Sequence, residues 1–287
     1  MVAMGESFGW VGIMSFENPG AGALDYGLCR YGKSKLLFRG PRRKLEGSFV
    51  AALGGTETYG KFVADPWPAR LGAQLGLPVV NFGYLNAGPD VFINEPVLIE
   101  AAGRARVTVV QLTSAQNLSN RFYAVHPRRN DRFLRASALM KTLFREVDFA
   151  EFHFTGHMLT ALKAASPDKF DMIEKELKAA WTARMKLLLD RIDGKTVLLW
   201  LTDHRAGGAA SDPLGPLPHL VDEEMVMAIR PFATELVRVD PTAAAQNAGT
   251  EGMVFAALAE PVAQQMAGPA VHSEVAARLL PTLQRLI

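Results

Sequence analysis

Five short apolar runs divide the chain, and each is rich in valine and leucine. Runs of this length and composition are typical of strands that are buried on both faces of a parallel sheet. We therefore predict strands at residues 49–53, 78–82, 107–113, 196–202 and 236–240.

Segments with helical spacing of their apolar residues separate these predicted strands. They cover residues 67–75, 97–104, 223–231 and 272–287. Strands that alternate with helices form right-handed βαβ units, which pack helices on both faces of one sheet. The pattern predicts an α/β fold, a three-layer α/β/α sandwich with a five-stranded parallel sheet.

The interval between the third and fourth predicted strands, residues 114–194, is much longer than one crossover helix requires. Helical spacing recurs in it at residues 132–145, 151–164 and 169–192, which predicts a helical insertion. Residues 1–45 are rich in glycine and arginine and predict an irregular N-terminal arm. The predicted α/β domain therefore spans residues 46–287 and contains the insertion.

Composition and charge narrow the classes of protein to consider. Hydrophobic residues make up 49% of the chain, and Lys plus Arg exceed Asp plus Glu by only 31 to 29. The balanced charge argues against nucleic-acid or membrane partners. With one cysteine, Cys29, and no basic leader or apolar run long enough for a membrane span, we expect a cytoplasmic protein. The apolar faces of residues 169–192 and 272–287 fit either the core or a homodimer contact.

The turn after the first predicted strand carries the strongest candidate chemistry. It reads Gly-Gly-Thr-Glu-Thr-Tyr-Gly from Gly54 to Gly60, and a helix is expected to follow. Such a turn presents small hydroxyl groups and backbone N–H groups at the carboxyl edge of the sheet, where open α/β proteins bind ligands. The bland alternative is a tight turn in which Thr56 only caps the next helix.

This turn and the short motifs that follow later strands occur in the order of four conserved sequence blocks, so that the chain resembles the SGNH (GDSL-type) hydrolase superfamily. The first block of that superfamily is Gly-Asp-Ser-x-Thr-x-Gly. Here Gly55 and Thr56 occupy the positions of its aspartate and its nucleophilic serine. The glycine of the second block is matched by Gly83, the asparagine of the third by Asn117, and the histidine of the last by His272, although the aspartate of the last block is absent. The resemblance implies flavodoxin-like strand order.

The resemblance also implies an acyl hydrolase or acyltransferase acting on a small or carbohydrate-type ester, without a cofactor. Thr56 would be the nucleophile and His272 the base. The N–H groups of Thr56 and Gly83 and the side-chain amide of Asn117 would be the donors of an oxyanion hole. Gly55, Thr58, Asp203 and His204 would line the same edge, and Asp203 is a candidate partner for the histidine. Because the serine and the aspartate are both replaced, a catalytically silent protein that binds an anionic ligand or partner in this cleft is the alternative.

Basic residues at the start of the insertion support that alternative. Arg121, Arg128 and Arg129 are interleaved with aromatic residues, and Arg suits bidentate recognition of phosphate, sulfate or carboxylate. A solvated loop tied to neighbouring acidic residues is the competing interpretation.

Two further motifs carry weaker signals. Residues 27–34 match the phosphate-loop pattern G-x-x-x-x-G-K-[ST], which makes a nucleotide-binding enzyme the third candidate function. The segment before them is a poor strand, however, and a Gly-Pro pair follows closely. His153 and His157 have the spacing of one helical turn, yet the glutamate of the zinc motif is missing. We expect a core or interface pair there and no metal site.

Overall fold

A computed structural model describes residues 22–208 and 212–287. Its central sheet has five parallel strands in the order β2-β1-β3-β6-β7. The strands are β1 (Val50–Gly54), β2 (Val79–Gly83), β3 (Val107–Gln111), β6 (Thr196–Leu201) and β7 (Glu235–Val239). This order is the doubly wound, flavodoxin-like order, so the predicted fold class is confirmed and each predicted strand lies within two residues of an observed one.

Helices cover both faces of the sheet. They are α1 (Thr56–Tyr59), α2 (Trp67–Leu75), α3 (Pro89–Ile93), α4 (Pro96–Arg104), α5 (Ala138–Leu143), α6 (Thr155–Ala165), α7 (Pro167–Arg191), α8 (Glu223–Ile229), α9 (Ala243–Ala248), α10 (Glu260–Ala263) and α11 (Pro269–Leu286). Short 3-10 turns occupy Phe149–Glu151, Arg230–Phe232 and Ala257–Ala259. None of the helices within the described ranges is long and apolar enough to cross a membrane.

Alternate residues of β1 enter two separate hydrophobic cores. Ala51 and Leu53 pack in the core that α4, α6 and α7 complete, whereas Val50 and Ala52 pack in the core beneath α2 and α11. A strand that is buried on both faces in this way needs apolar residues at every position, which explains its continuous apolar sequence.

The insertion contains an antiparallel hairpin that the sequence pattern did not predict. Strands β4 (Tyr123–Val125) and β5 (Phe133–Ala136) pair, and α5 follows. The predicted helix at 132–145 is therefore wrong over its first residues. The side chains of Phe133 and Ala136 are buried and the two between them are exposed, and Ser137 then starts the helix by accepting a bond from the Met140 N–H.

The described part of the N-terminal arm lies against the domain, and one buried arginine of the arm bonds to the turn that ends α1. The Arg39 guanidinium donates to the backbone oxygens of Tyr59, Gly60, Val63 and Ala64, at 2.6–3.2 Å. These carbonyls lie at and beyond the C-terminal end of α1. The arm therefore fixes the back of the turn that carries the predicted site.

Candidate functional site at the carboxyl edge of the sheet

The carboxyl ends of β1 and β3 lie next to each other at the centre of the sheet. In this strand order the chain leaves β1 and β3 toward opposite sides, which makes their shared edge the topological switch point where ligands bind in open α/β folds. The turn after β1 enters α1 at Thr56 and leaves it at Gly60, whose φ of 73° is left-handed.

The side chain of Gln111, the last residue of β3, organises this turn. Its Oε1 accepts from the Gly55 N–H at 3.2 Å, the Thr58 N–H at 3.1 Å and the Thr58 hydroxyl at 2.5 Å. Its Nε2 donates to Glu57 Oε2 at 2.8 Å. Gly55 and Thr58 were predicted to line the ligand site. In the structure the N–H groups of both residues, and the hydroxyl of the fully buried Thr58, are already hydrogen-bonded to Gln111.

Thr56 bonds to the loop that follows β2. Its hydroxyl donates to Asn86 Oδ1 at 3.2 Å and accepts from the Asn86 N–H at 3.0 Å. Asn86 holds a left-handed φ of 52°, which asparagine tolerates better than most residues. Its Nδ2 donates to Asp131 Oδ2 at 2.9 Å, so the Thr56 hydroxyl is linked through Asn86 to the insertion.

Two of the donors predicted for an oxyanion hole, the Gly83 N–H and the Asn117 amide, already have partners. The Gly83 N–H donates to Asn81 Oδ1 at 2.8 Å. Asn117 Nδ2 donates to the Asn86 carbonyl at 3.1 Å, and its Oδ1 accepts from the Thr155 hydroxyl at 2.9 Å. These groups hold the β2 and β3 loops together in this arrangement.

His272 lies in the first turn of α11 and is buried beside α2. Its Nδ1 accepts from the Trp67 N–H at 3.1 Å, and burial lowers the pKa of the imidazole to about 3. Its Nε2 has no hydrogen-bond partner among the described residues. Thr56 and His272 share no hydrogen bond within 22–208 and 212–287, so the structure does not join the predicted nucleophile to the predicted base.

Asp203 and His204 follow β6 and have different surroundings. Asp203 is bonded by Arg205 on both carboxylate oxygens, at 2.9 and 2.8 Å. His204 is 5% exposed, and neither of its ring nitrogens has a partner in the described chain. Burial lowers its pKa, against the opposing field of Glu57 and Asp203.

The loop that carries Arg128 and Arg129 is docked beside Thr56. The backbone N–H groups of both arginines donate to His126 Nδ1 at 3.2 Å. Asn130 Oδ1 accepts from the Gly88 N–H at 3.0 Å, two residues beyond the partner of Thr56. The loop is therefore held in one conformation against the edge of the sheet.

We define the basic edge as Lys61, Arg128, Arg129 and Arg132. Three of these cations, Lys61, Arg129 and Arg132, lie near enough to Asp131 to interact with its charge, and Arg128 adjoins Arg129 in the same loop. Asp131 is bonded to Asn86, and burial raises the pKa of its carboxyl against the pull of Arg132 and Arg129. Burial also lowers the pKa of Lys61, which Asp131 opposes. Within the part of the chain that the structure describes, none of the four cations has an acidic side chain within 4 Å.

Arg121, which was predicted to join these arginines, has an acidic partner instead. Its Nε lies 2.8 Å from Glu176 Oε2 of α7, and its guanidinium lies over the Phe122 ring. The ion pair fits the interpretation of Arg121 as a solvated residue that is tied internally.

The two weaker motifs lack the structure that their chemistry requires. Between residues 27 and 34 there is no strand or helix, Lys33 is exposed, and the Ser34 hydroxyl accepts from the Leu36 N–H. His153 precedes α6 instead of sharing a face of it with His157, so the prediction of a common helix is wrong. Both imidazoles are exposed, so the two histidines do not form a core pair either. The described residues contain no group of three or more His, Cys, Asp or Glu that could hold a metal ion.

Sequence reasoning missed Asn86, Gln111, Asp131 and Lys61. Gln111 carried one usable signal, since it is a polar residue at the carboxyl end of a predicted buried strand. Asn86 and Asp131 carried none, because their contacts join loops that are far apart in the sequence.

Comparison with family models assigns the chain over residues 14–287, and the protein therefore belongs to the family described as "Domain of unknown function (DUF6473)". Comparison with curated proteins and with solved structures gives no significant match. The description of the family names no activity, so the proposal below depends on the geometry of the site.

Proposed function

We propose that the protein binds an anionic small molecule at the basic edge, beside Thr56, and that it is an SGNH-like protein without acyl-transfer activity. The phosphate, sulfate or carboxylate group of the ligand would contact Arg128, Arg129 and Lys61. The observation that carries the proposal is the surplus of cations without an ion-pair partner, Lys61 after α1 and the arginines of a loop that is itself fixed.

The charge balance favours an anion over other ligands. The basic edge has four cations and one neighbouring carboxylate, Asp131, and burial opposes the ionised form of that carboxylate. Like charges held together repel one another, and a bound anion relieves the repulsion. Arg128 and Arg129 can form charge-assisted, bidentate bonds to such a group.

The rigidity of the loop supports binding as well. Asn130 and Asp131 join it to Gly88 and Asn86, so that few backbone conformations are lost when a ligand binds. Preorganisation of this kind lowers the entropic cost of binding. Thr56 then has a structural role, because its hydroxyl positions Asn86, which in turn bonds to Asp131.

The test is a thermal-shift comparison with inorganic phosphate, sulfate and citrate at constant ionic strength. Wild type and Arg135→Gln are expected to be stabilised by at least one of these anions, because the exposed Arg135 lies on the same insertion without joining the basic edge. Arg129→Gln, which loses the same charge, is expected to lose most of that stabilisation. Equal responses of Arg129→Gln and Arg135→Gln would overturn the proposal.

Hydrolysis or transfer of an acyl group remains a second candidate function. It is favoured by the position of Thr56 at the first residue of α1, directly after β1, which is the place of the nucleophile in the superfamily that the sequence resembles. Hydrolysis of p-nitrophenyl acetate and butyrate by wild type, Thr56→Ala and His272→Gln tests it. A hundredfold loss in both variants would favour this candidate over a silent binding protein.

A further inference from the structure

A cavity of about 410 Å³ lies beyond the carboxyl ends of β6 and β7. Its wall includes the residues after β6, the end of α9 and the segment that leads into α11. His204, Gln246, Thr250, Gln265 and Gly268 are among the residues that line it. None of the four cations of the basic edge lines this cavity.

His204 is the buried polar group of this wall. Its side chain is nearly inaccessible, and both ring nitrogens lack a hydrogen-bond partner in the described chain. A ring nitrogen that is buried without a hydrogen bond destabilises the folded protein. Both nitrogens are buried in the conformation described, so a ligand group in the cavity would bond to the imidazole after the ring turns toward it, and that bond would satisfy the nitrogen.

The same cavity is bordered by the N-terminal end of α11, a helix of 18 residues. Gly268, its N-cap residue, supplies no side chain to cap the first N–H groups, and Pro269 follows it. The N-terminus of a helix carries a partial positive charge and unpaired N–H groups, both of which favour an anion.

Gly268 also allows the wall to close. A Cβ at this position would collide with the backbone oxygen of Gly249, which lines the cavity as well. The close contact of these two backbones holds the N-terminal end of α11 beside the C-terminal end of α9.

The side chains that line the cavity are compatible with a negatively charged ligand. No aspartate or glutamate lines the cavity. The two carboxylates that act on His204 from outside its lining, Glu57 and Asp203, are bonded to Gln111 and Arg205. The Gln265 amide and the Thr250 hydroxyl line the cavity, as does the Gln246 amide, which already donates one bond to the Asp203 carbonyl. Arg205 lines it too, but its guanidinium is bonded to Asp203 and Asp212. The donors available to a ligand are therefore neutral groups together with the helix terminus.

From these observations we infer that the cavity is a second ligand site, which takes an anionic oxygen group, a carboxylate or a phosphate, between His204 and the N-terminus of α11. The inference does not depend on the basic edge, because the two sites share no residue.

The test follows the imidazole nitrogens of His204 by two-bond ¹H–¹⁵N correlation spectra at pH 7, during separate titrations with inorganic phosphate and acetate. His204→Gln identifies the signals, and substitution of the other histidines in turn does so if that variant does not fold. The lining residue Gln265 is changed to glutamate, and Gln284→Glu, at an exposed position near the other end of α11, is the matched control.

We expect at least one of the anions to shift the His204 signals saturably in wild type, in Gln284→Glu and in the double variant Arg128→Gln/Arg129→Gln. In Gln265→Glu the apparent affinity should fall at least tenfold, because the added carboxylate repels the anion. Unmoved His204 signals with both anions, or equal affinities of Gln265→Glu and Gln284→Glu, would overturn the inference. Loss of the response only in the arginine double variant would assign the anion to the basic edge and would also overturn it.

Discussion

The backbone N–H of Trp67 donates to Nδ1 of His272 across 3.1 Å, between the first turns of α2 and α11. This bond uses the lone pair of the imidazole and leaves the proton on Nε2, which is buried without a partner in the described chain. His272 therefore joins two helices, and a general base needs the free lone pair that this arrangement lacks.

This burial makes the stability of the protein depend on pH. The pKa of His272 is lowered to about 3 in the folded protein, compared with an ordinary value near 6.5. At pH values between these two, the imidazole binds a proton in the unfolded chain but not in the folded protein. The free energy of unfolding should therefore rise with pH across this window, and His272 contributes up to about 1.4 kcal/mol per pH unit to that rise. Above the window its stabilising contribution is fully present.

Urea denaturation of wild type and His272→Gln at several pH values between 4 and 7 measures this contribution. Glutamine can still accept from Trp67 but does not titrate, so the stability difference between the two proteins should shrink as the pH falls. A difference that stays constant over the whole range would contradict a neutral, buried imidazole.

The Gln111 side chain should be essential to the turn after β1. Gln111→Leu removes the acceptor of the Gly55 and Thr58 N–H groups and leaves both unpaired in the interior. Each such group costs on the order of 1–3 kcal/mol, so we expect a loss of at least about 2 kcal/mol in the free energy of unfolding. Gln246→Leu, which removes one bond to a backbone carbonyl, should cost less in the same denaturation experiment.

Two glycine substitutions should have opposite effects. A Cβ at Gly83 would collide with the backbone of Thr58 and Tyr59, so Gly83→Ala must separate α1 from β2 and should cost at least about 2 kcal/mol. At Gly156, in α6, the nearest atom to an added Cβ is 3.8 Å away, and alanine should stabilise the helix by about 0.5–1 kcal/mol. Thermal unfolding of both variants checks the pair, and similar melting temperatures would contradict the packing described.

Removal of the Arg39 guanidinium should loosen the arm. Arg39→Ala leaves four backbone carbonyls without their shared donor, and hydrogen bonds from a charged group contribute about 1.5–3 kcal/mol each. We expect a loss of at least about 2 kcal/mol and faster proteolysis of the arm. Arg42→Ala, at an exposed position of the same arm, is the control and should behave as wild type.

The sequence pattern was sufficient to predict the sheet, because strands buried on both faces must be apolar throughout. Val197 and Leu198 face opposite cores, so the continuous apolar run that contains them predicted a buried strand without any tertiary information. The hairpin was not readable, since the apolar residues Phe133, Leu139 and Met140 also fit helical spacing, and only pairing with β4 selects the strand.

The site was predictable only in part, for a related reason. The turn at Thr56 follows from a local motif at the end of a strand. Its hydrogen-bond partner Asn86, which has a left-handed backbone conformation, lies 30 positions further along the chain. The bond between Asn130 and Gly88 spans 42 positions. Contacts between loops leave no periodic trace in a sequence, so the fixed basic edge became visible only in the structure.

The most direct test of the binding proposal is calorimetric titration of inorganic phosphate into wild type, Arg128→Gln/Arg129→Gln and Arg135→Gln. The proposal predicts saturable heat in wild type and Arg135→Gln, with an affinity that weakens as salt rises, and at least a tenfold loss in the double variant. Retention of wild-type affinity by the double variant would contradict an anion site at the basic edge.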